Sequence, residues 1–399
     1  MTTSLVASVT AVGILSCLSP LCQCFTNDMP LRASVGSVIE RDRRHGMREH
    51  FLLALSAHDE AFQDWSSDSR IDVRNLLTQR AIQSFMFLCE ECRDPHSGKW
   101  IEDFLKTQNL LNYHGTGASF MADVPWDGPL LELMDQPEDV MIVSAKRRGR
   151  GHGGWSKNNP YLQDRYVEFK ITIDPASLTD RILAVREQLA AEWVNDLEIL
   201  GRANQQILDS YFQLAKDERN QDPAMSPAVA FERTAVDALN SHTSFGASGS
   251  PFRMGSFDLL YNLCTQASIH RLLRSLGDKG DDANLELLRD FYVDRLEDFF
   301  DGDLPFGKAD DFIEELLLLS PSIIHRDNGN VALTDPFGIS EQIIEFRNDI
   351  FSEWIEAMKL VPTAHQDGVR KRLLNKRMEA WNEYTRKSKG SGNTGAGFQ

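Results

Sequence analysis

Two stretches of this 399-residue chain begin with Asp-Pro and then repeat one helical pattern 161 positions apart. From Asp174 the chain reads DPASLTDRILAVREQLAAEWVNDLEIL, and from Asp335 it reads DPFGISEQIIEFRNDIFSEWIEAMKLV. Ile182 falls on Ile343, Arg186 on Arg347, and Glu192–Trp193 on Glu353–Trp354. Leu178, Leu183, Val185 and Leu189 fall on Ile339, Ile344, Phe346 and Ile350, at the spacing of an amphipathic helix. Proline fits a first helical turn, where its missing N–H is not needed, so Asp-Pro reads as a helix start. A second match lies upstream at an offset of 180, with Phe120 on Phe300, Asp123 on Asp303 and Pro125 on Pro305. The two offsets leave about 19 extra residues in the first copy, and these fall in its Gly-rich basic segment.

The reading that follows is a mainly α chain with small β hairpins (α+β), built as two helix-rich pseudo-repeats. They cover about 68–215 and 255–362, each running helix–helix–helix–strand–Asp-Pro–helix. Residues 139–147 and 165–173 predict strands joined by a long loop. Helices are predicted over 38–64, 70–93, 176–218 (whole or broken), 256–276, 282–301, 308–319 and 338–360. The expected organisation is a signal peptide at 1–24, a transit-like segment at 25–37, a first repeat at 38–218, a linker at 219–255, a second repeat at 256–362, and a basic helix with a disordered Gly/Ser tail at 363–399.

Charge narrows the choice of partner. Forty-two Lys and Arg against 59 Asp and Glu give −17, so the body as a whole does not coat nucleic acid or anionic lipid. The basic residues are concentrated in two places. Segment 146–170 has seven against Asp164 and Glu168, net +5; segment 370–389 has eight against Glu379 and Glu383, net +6. Conversely, 281–315 carries 13 carboxylates against three basic residues, a solvated helical face or a partner for a basic segment. No interior run of 18 apolar residues occurs, so no integral membrane segment is expected in the mature chain. Segment 370–389, with Trp381 and Tyr384 among its basic residues, could dock on a membrane surface or on RNA.

The strongest candidate site is the loop 148–161. Its glycines allow backbone N–H groups close to an anion, Arg147, Arg148, Arg150 and Lys157 supply charge, His152 lies among them, and Trp155 and Tyr161 could stack on a ring. The loop opens onto a strand rather than a helix, which excludes a P-loop and a dinucleotide fingerprint. The second candidate is Asn112–Ala118, NYHGTGA, where Gly115 and Gly117 make a tight turn and His114 could act as acid or base. Cys89, Cys92 and His96 have ligand-like spacing but no second pair, and Pro95 intervenes, so no metal is expected there. Asp310-Asp311-Phe312-Ile313-Glu314 and Asn348 to Glu356 resemble the two Mg²⁺ motifs of class I terpene synthases. They stand only about 38 residues apart, too near each other for that family's arrangement. The sequence does not name a cofactor.

The leader and one long stretch carry resemblances. Residues 1–24 hold no charge, have an apolar core from Leu5 to Leu21, and are followed by Phe25. This resembles the bipartite plastid-targeting leaders of diatoms and related algae. Cleavage after Cys24 would leave Cys89, Cys92 and Cys264, an odd and sparse set that fits a reducing compartment such as the stroma. The stretch from Trp100 through NYHGTGA and VSAKRRGRGHGGWSKNNPY to DPASL, strongest over 68–200, resembles a group of plastid-targeted proteins of plants and algae, one without an assigned activity. That resemblance implies plastid residence and carries over no catalytic residue. Two functions are therefore expected as alternatives. One is an accessory or assembly factor that contacts an anionic ligand, protein or RNA through the basic loop. The other is an enzyme acting on a phosphorylated or carboxylated small molecule through His114, His152 and the arginines.

Overall fold

The computed structural model describes residues 72–92, 94–116, 118–121, 124–147, 165–221, 231–242, 249–300, 308–325 and 331–391. The chain divides into two compact units, Met1–Asp59 with Ser244–Gly249, and Glu60–Thr243 with Ser250–Gln399. Gly249 aside, every described residue belongs to the second. The leader, the transit-like segment, the helix expected at 38–64 and the Gly/Ser tail lie outside the described residues.

Several helices start where the sequence supplies a cap. Helix α1 (Val73–Glu91) follows Asp72, whose carboxylate accepts the Arg74 N–H. Helix α2 (Pro95–Leu105) follows Asp94 with Pro95 in its first turn and closes on Lys106 at φ 53°. After α3 (Gly128–Asp135) come β1 (Asp139–Arg147) and β2 (Arg165–Ile173), then the first Asp-Pro helix, α4 (Pro175–Ile207), capped by Asp174 on the Ala176 N–H at 3.0 Å. It passes through a π turn (Leu208–Phe212) into α5 (Gln213–Gln221). Helix α6 (Phe231–His242) precedes α7 (Arg253–Lys279), which ends on Gly280 at φ 69°. Helix α8 (Asp282–Phe299) is capped by Asp281, and α9 (Lys308–Leu317), β3 (Ser322–His325) and β4 (Val331–Thr334) lead to the second Asp-Pro helix, α10 (Pro336–Lys359). Helix α11 (Val361–His365), a second π turn (Gln366–Arg370) and α12 (Lys371–Ser391) end the described chain.

Among the described residues the fold is mainly α with two antiparallel two-stranded sheets. Helix, helix, helix, hairpin and Asp-Pro helix occur in that order twice, as α1–α4 and as α7–α10. The two Asp-Pro helices pack on each other at the centre. Gly201 of α4 lies where a Cβ would just touch the Phe351 ring of α10, at 4.0 Å, so the helices approach closely. Beside it the Asn204 amide donates to the Ile344 carbonyl and to Asn348 Oδ1, both at 2.8 Å. Helices α1, α3 and α6 pack on α4, while α7 and α9 pack on α10. The core between them is made by the apolar stripes that the sequence alignment singled out, among them Leu178, Ile182, Leu183 and Leu189 on α4 and Ile339, Ile343, Ile344 and Ile350 on α10. Burying a side chain of this size contributes about 1.5–3 kcal/mol.

The two strands joined by the basic loop run residue for residue where the sequence placed them. Residues 231–242 lie within the segment expected as a linker over 219–255. They form α6, because Phe231, Ala235, Ala238 and Leu239 make a buried stripe against α4 and the π turn. Phe231 packs edge-on against Tyr211 at 5.1 Å. The matched tryptophans also differ, since Trp193 is fully buried and Trp354 only partly.

Candidate functional site

The basic loop rises from a nine-pair antiparallel ribbon whose register runs from Asp139 opposite Ile173 to Arg147 opposite Arg165. Side chains alternate across a ribbon, so Met141, Val143, Ala145, Val167, Phe169, Ile171 and Ile173 share one face. Val140, Ile142, Ser144, Glu168, Lys170 and Thr172 share the other. At the base Ile173 is buried, and the Trp100 indole donates to Asp139 Oδ2 at 3.0 Å. Further out the ribbon loses cover: Phe169 is 49% exposed on one face and Ile142 63% exposed on the other. An exposed two-stranded ribbon of this kind has little stability of its own.

The charge sits at the far end. Lys146 pairs with Tyr166, and the last rung places Arg147 opposite Arg165. Arg148 follows immediately in the sequence. Arg148, Arg150, His152, Trp155, Lys157 and Tyr161 lie outside the described residues, as does Gly117. Of the loop candidates, the structure thus places the backbone of Arg147 at the distal rung.

His114 and Gly115 lie on a turn fastened to α1. Gln79 Nε2 donates to the Gly115 carbonyl at 2.7 Å, and Gln79 Oε1 accepts the Ala118 N–H at 3.0 Å. Gln83 Nε2 donates to the carbonyls of Leu110 and Tyr113, at 2.7 and 2.6 Å. Both glutamines are buried, so the turn's polar backbone is satisfied internally. Gly115 lies under the Tyr113 ring, where a Cβ would meet the phenol oxygen at 2.5 Å. His114 itself is half-buried.

The cysteines divide by exposure. Cys89 is buried and its thiol is pushed up to about 11, chiefly by burial; Cys92 is exposed. No group of three metal-ligating side chains occurs among the described residues. In the aspartate-rich stretch, Asp310 faces inward to Arg347 and Tyr261, while Asn348 is bonded to Asn204 and Gln205.

The centres that sequence reasoning passed over are the two matched arginines. Arg347 is fully buried. Its Nη1 donates to Asp310 Oδ1 at 3.0 Å and to Thr265 Oγ1 at 3.4 Å, and its guanidinium lies 4.9 Å over the Tyr261 ring. The Tyr261 hydroxyl donates to Asp310 at 2.7 Å. Arg186 is also buried, donates from Nε to Thr78 Oγ1 at 3.0 Å, and lies 4.1 Å over the Trp126 ring. Its other bonds run to the Arg74 carbonyl and, at 2.7 Å, to His365 Nε2. His365 Nδ1 faces Glu187 at 2.8 Å, and Glu187 also holds Arg370 at 2.9 Å. The guanidinium can only donate, so Nε2 accepts and Nδ1 carries the proton. Burial pulls Arg186 down to about 9 and His365 down to about 4, in the latter case against its hydrogen bond to Glu187.

A sequence signal for these centres was present. At an offset of 187, Asn75-Leu76-Leu77-Thr78-Gln79-Arg80-Ala81-Ile82 falls on Asn262-Leu263-Cys264-Thr265-Gln266-Ala267-Ser268-Ile269. Each helix thus brings a threonine to the arginine of its Asp-Pro partner. Comparison with protein-family models, with curated proteins and with solved structures returns no match to this chain.

Proposed function

We propose that the protein is a plastid accessory or assembly factor that holds an anionic partner, an acidic protein segment or RNA phosphate, at the basic end of the β1–β2 ribbon. One observation carries this reading: the last rung of an exposed ribbon sets Arg147 opposite Arg165, and Arg148 and Arg150 follow. A run of basic residues carried at the end of a ribbon in an otherwise acidic chain favours an anion as its partner. The exposed Ile142 and Phe169 nearby offer apolar contact to the same partner. Plastid residence draws its support from the leader and from the resemblance over 68–200. A fluorescent protein carrying residues 1–37 should enter plastids, and retention in the secretory route would refute that part.

Retention on a heparin column tests the contact. The wild-type chain should be retained despite its charge of −17, and Arg147/Arg148/Arg150→Ala should elute at lower salt. Wild type in the flow-through, or equal elution of the two, would remove the ribbon from the functional account.

A further inference from the structure

We infer that helix α12 is an interfacial helix that lies on an anionic lipid bilayer. Leu374, Met378 and Trp381 recur at four and seven residues and so share one face, with Tyr384 at its edge. All four are more than half exposed, and Trp381 reaches 65%. The Trp381 and Tyr384 rings lie 6.2 Å apart. A stripe of this size left in water marks a contact surface.

Other side chains of this segment are tied to the body of the protein and fix how the stripe is presented. Val369 and Leu373 are buried at the helix root. Lys376 donates to the carbonyls of Met134 and Gln136 at the end of α3, neutralising the negative end of that helix. Arg370 holds Glu187, and Arg377 lies 3.7 Å from Asp180. The root is therefore fixed to α3 and α4, and the stripe cannot turn inward.

Charge selects the occupant. Segment 370–389 is net +6 in a chain of −17, Lys371 and Arg386 are exposed beside the stripe, and Arg372 is exposed on the far side of the helix. Basic side chains beside an apolar face with Trp and Tyr at the boundary match the layering of an anionic membrane surface, where rings sit at headgroup depth and cations meet lipid phosphate. No helix among the described residues is long and apolar enough to cross a bilayer, so this is contact in the surface plane. The inference does not rest on the ribbon, which lies on other elements.

Co-sedimentation of the full chain with vesicles tests it, using phosphatidylcholine alone and phosphatidylcholine mixed with phosphatidylglycerol. Wild type should sediment with the anionic vesicles only and be released by salt. Leu374→Glu with Trp381→Glu, and separately Lys371/Arg372/Arg386→Ala, should each weaken binding by about tenfold or more. Melting temperatures should stay at the wild-type value, since all five side chains are exposed. Absence of wild-type sedimentation, or unchanged binding by the Leu374/Trp381 variant, overturns the inference. So does a concentration-dependent dimer that Leu374→Glu dissolves in a chain that ignores vesicles, because the stripe then belongs to a second copy. Loss of lipid binding in Arg147/Arg148/Arg150→Ala alone would place the contact on the ribbon and overturn it equally.

Discussion

Arg186 and Arg347 occupy equal places on the two Asp-Pro helices, and both are buried, yet they are stabilised differently. Arg347 has the carboxylate of Asp310 at 3.0 Å, whereas Arg186 pairs with no carboxylate among the described residues and donates instead to neutral His365. At the offset of 180, Asp310 falls on Leu130, so an apolar residue stands at the matched position, and Arg186 meets His365 of α11 instead. Two outcomes follow. Asp310→Ala leaves the Arg347 charge unpaired in the core and should cost about 3–5 kcal/mol in a denaturant titration; a loss below about 1 kcal/mol would contradict the pairing. His365 is held neutral, with its pKa down to about 4 from an ordinary 6.5. Between those values the unfolded chain takes up a proton that the folded chain refuses. The contribution of His365 is therefore complete above pH 6.5 and is lost as pH falls toward 4. Thermal melts from pH 7.5 to 4.5 should fall more steeply for wild type than for His365→Gln, and parallel profiles would contradict this.

At the scale of elements, the turn carrying His114 and the ribbon carrying Arg147 differ in how they are held. The turn has four hydrogen bonds to two buried glutamines of α1, while the ribbon is covered only at its base. Gln83→Ala should therefore leave buried carbonyls unsatisfied at a cost of about 1–3 kcal/mol. It should also speed amide exchange across 110–118 while leaving the ribbon's exchange unchanged, and unaltered exchange in the turn would refute the fastening. The sequence announced the Asp-Pro helices and both strands of the ribbon because caps and two-residue alternation are local signals. It did not announce the glutamine clamp, because Gln79 and Gln83 read as ordinary polar helix positions until a turn about 30 residues away is brought to them. Helix α6 was hidden between Pro223, Pro227 and the glycines at 246 and 249, although Phe231, Ala235, Ala238 and Leu239 carried its periodicity. The arginine centres were half legible: the alignment marked Arg186 and Arg347, but only the fold brings in Asp310 and His365, each from a separate helix.

The molecule as a whole joins its two sets of elements through α4 and α10, which share one core around Gly201, Asn204 and Phe351. Neither set has a complete core alone, so residues 60–243 and 250–399 expressed separately should fail to give cooperative melts, while the whole chain unfolds in one transition. Independent melting of either piece would contradict a shared core. Lys376 at the root of α12 holds Gln136, three residues before β1 begins. The most direct test of the ribbon's role is amide hydrogen exchange over 139–173 with and without a bound heparin oligosaccharide. Protection concentrated on the rungs nearest Arg147 and Arg165, and lost in Arg147/Arg148/Arg150→Ala, is the predicted result; exchange there that ignores the polyanion, or protection only elsewhere in the chain, would contradict the account.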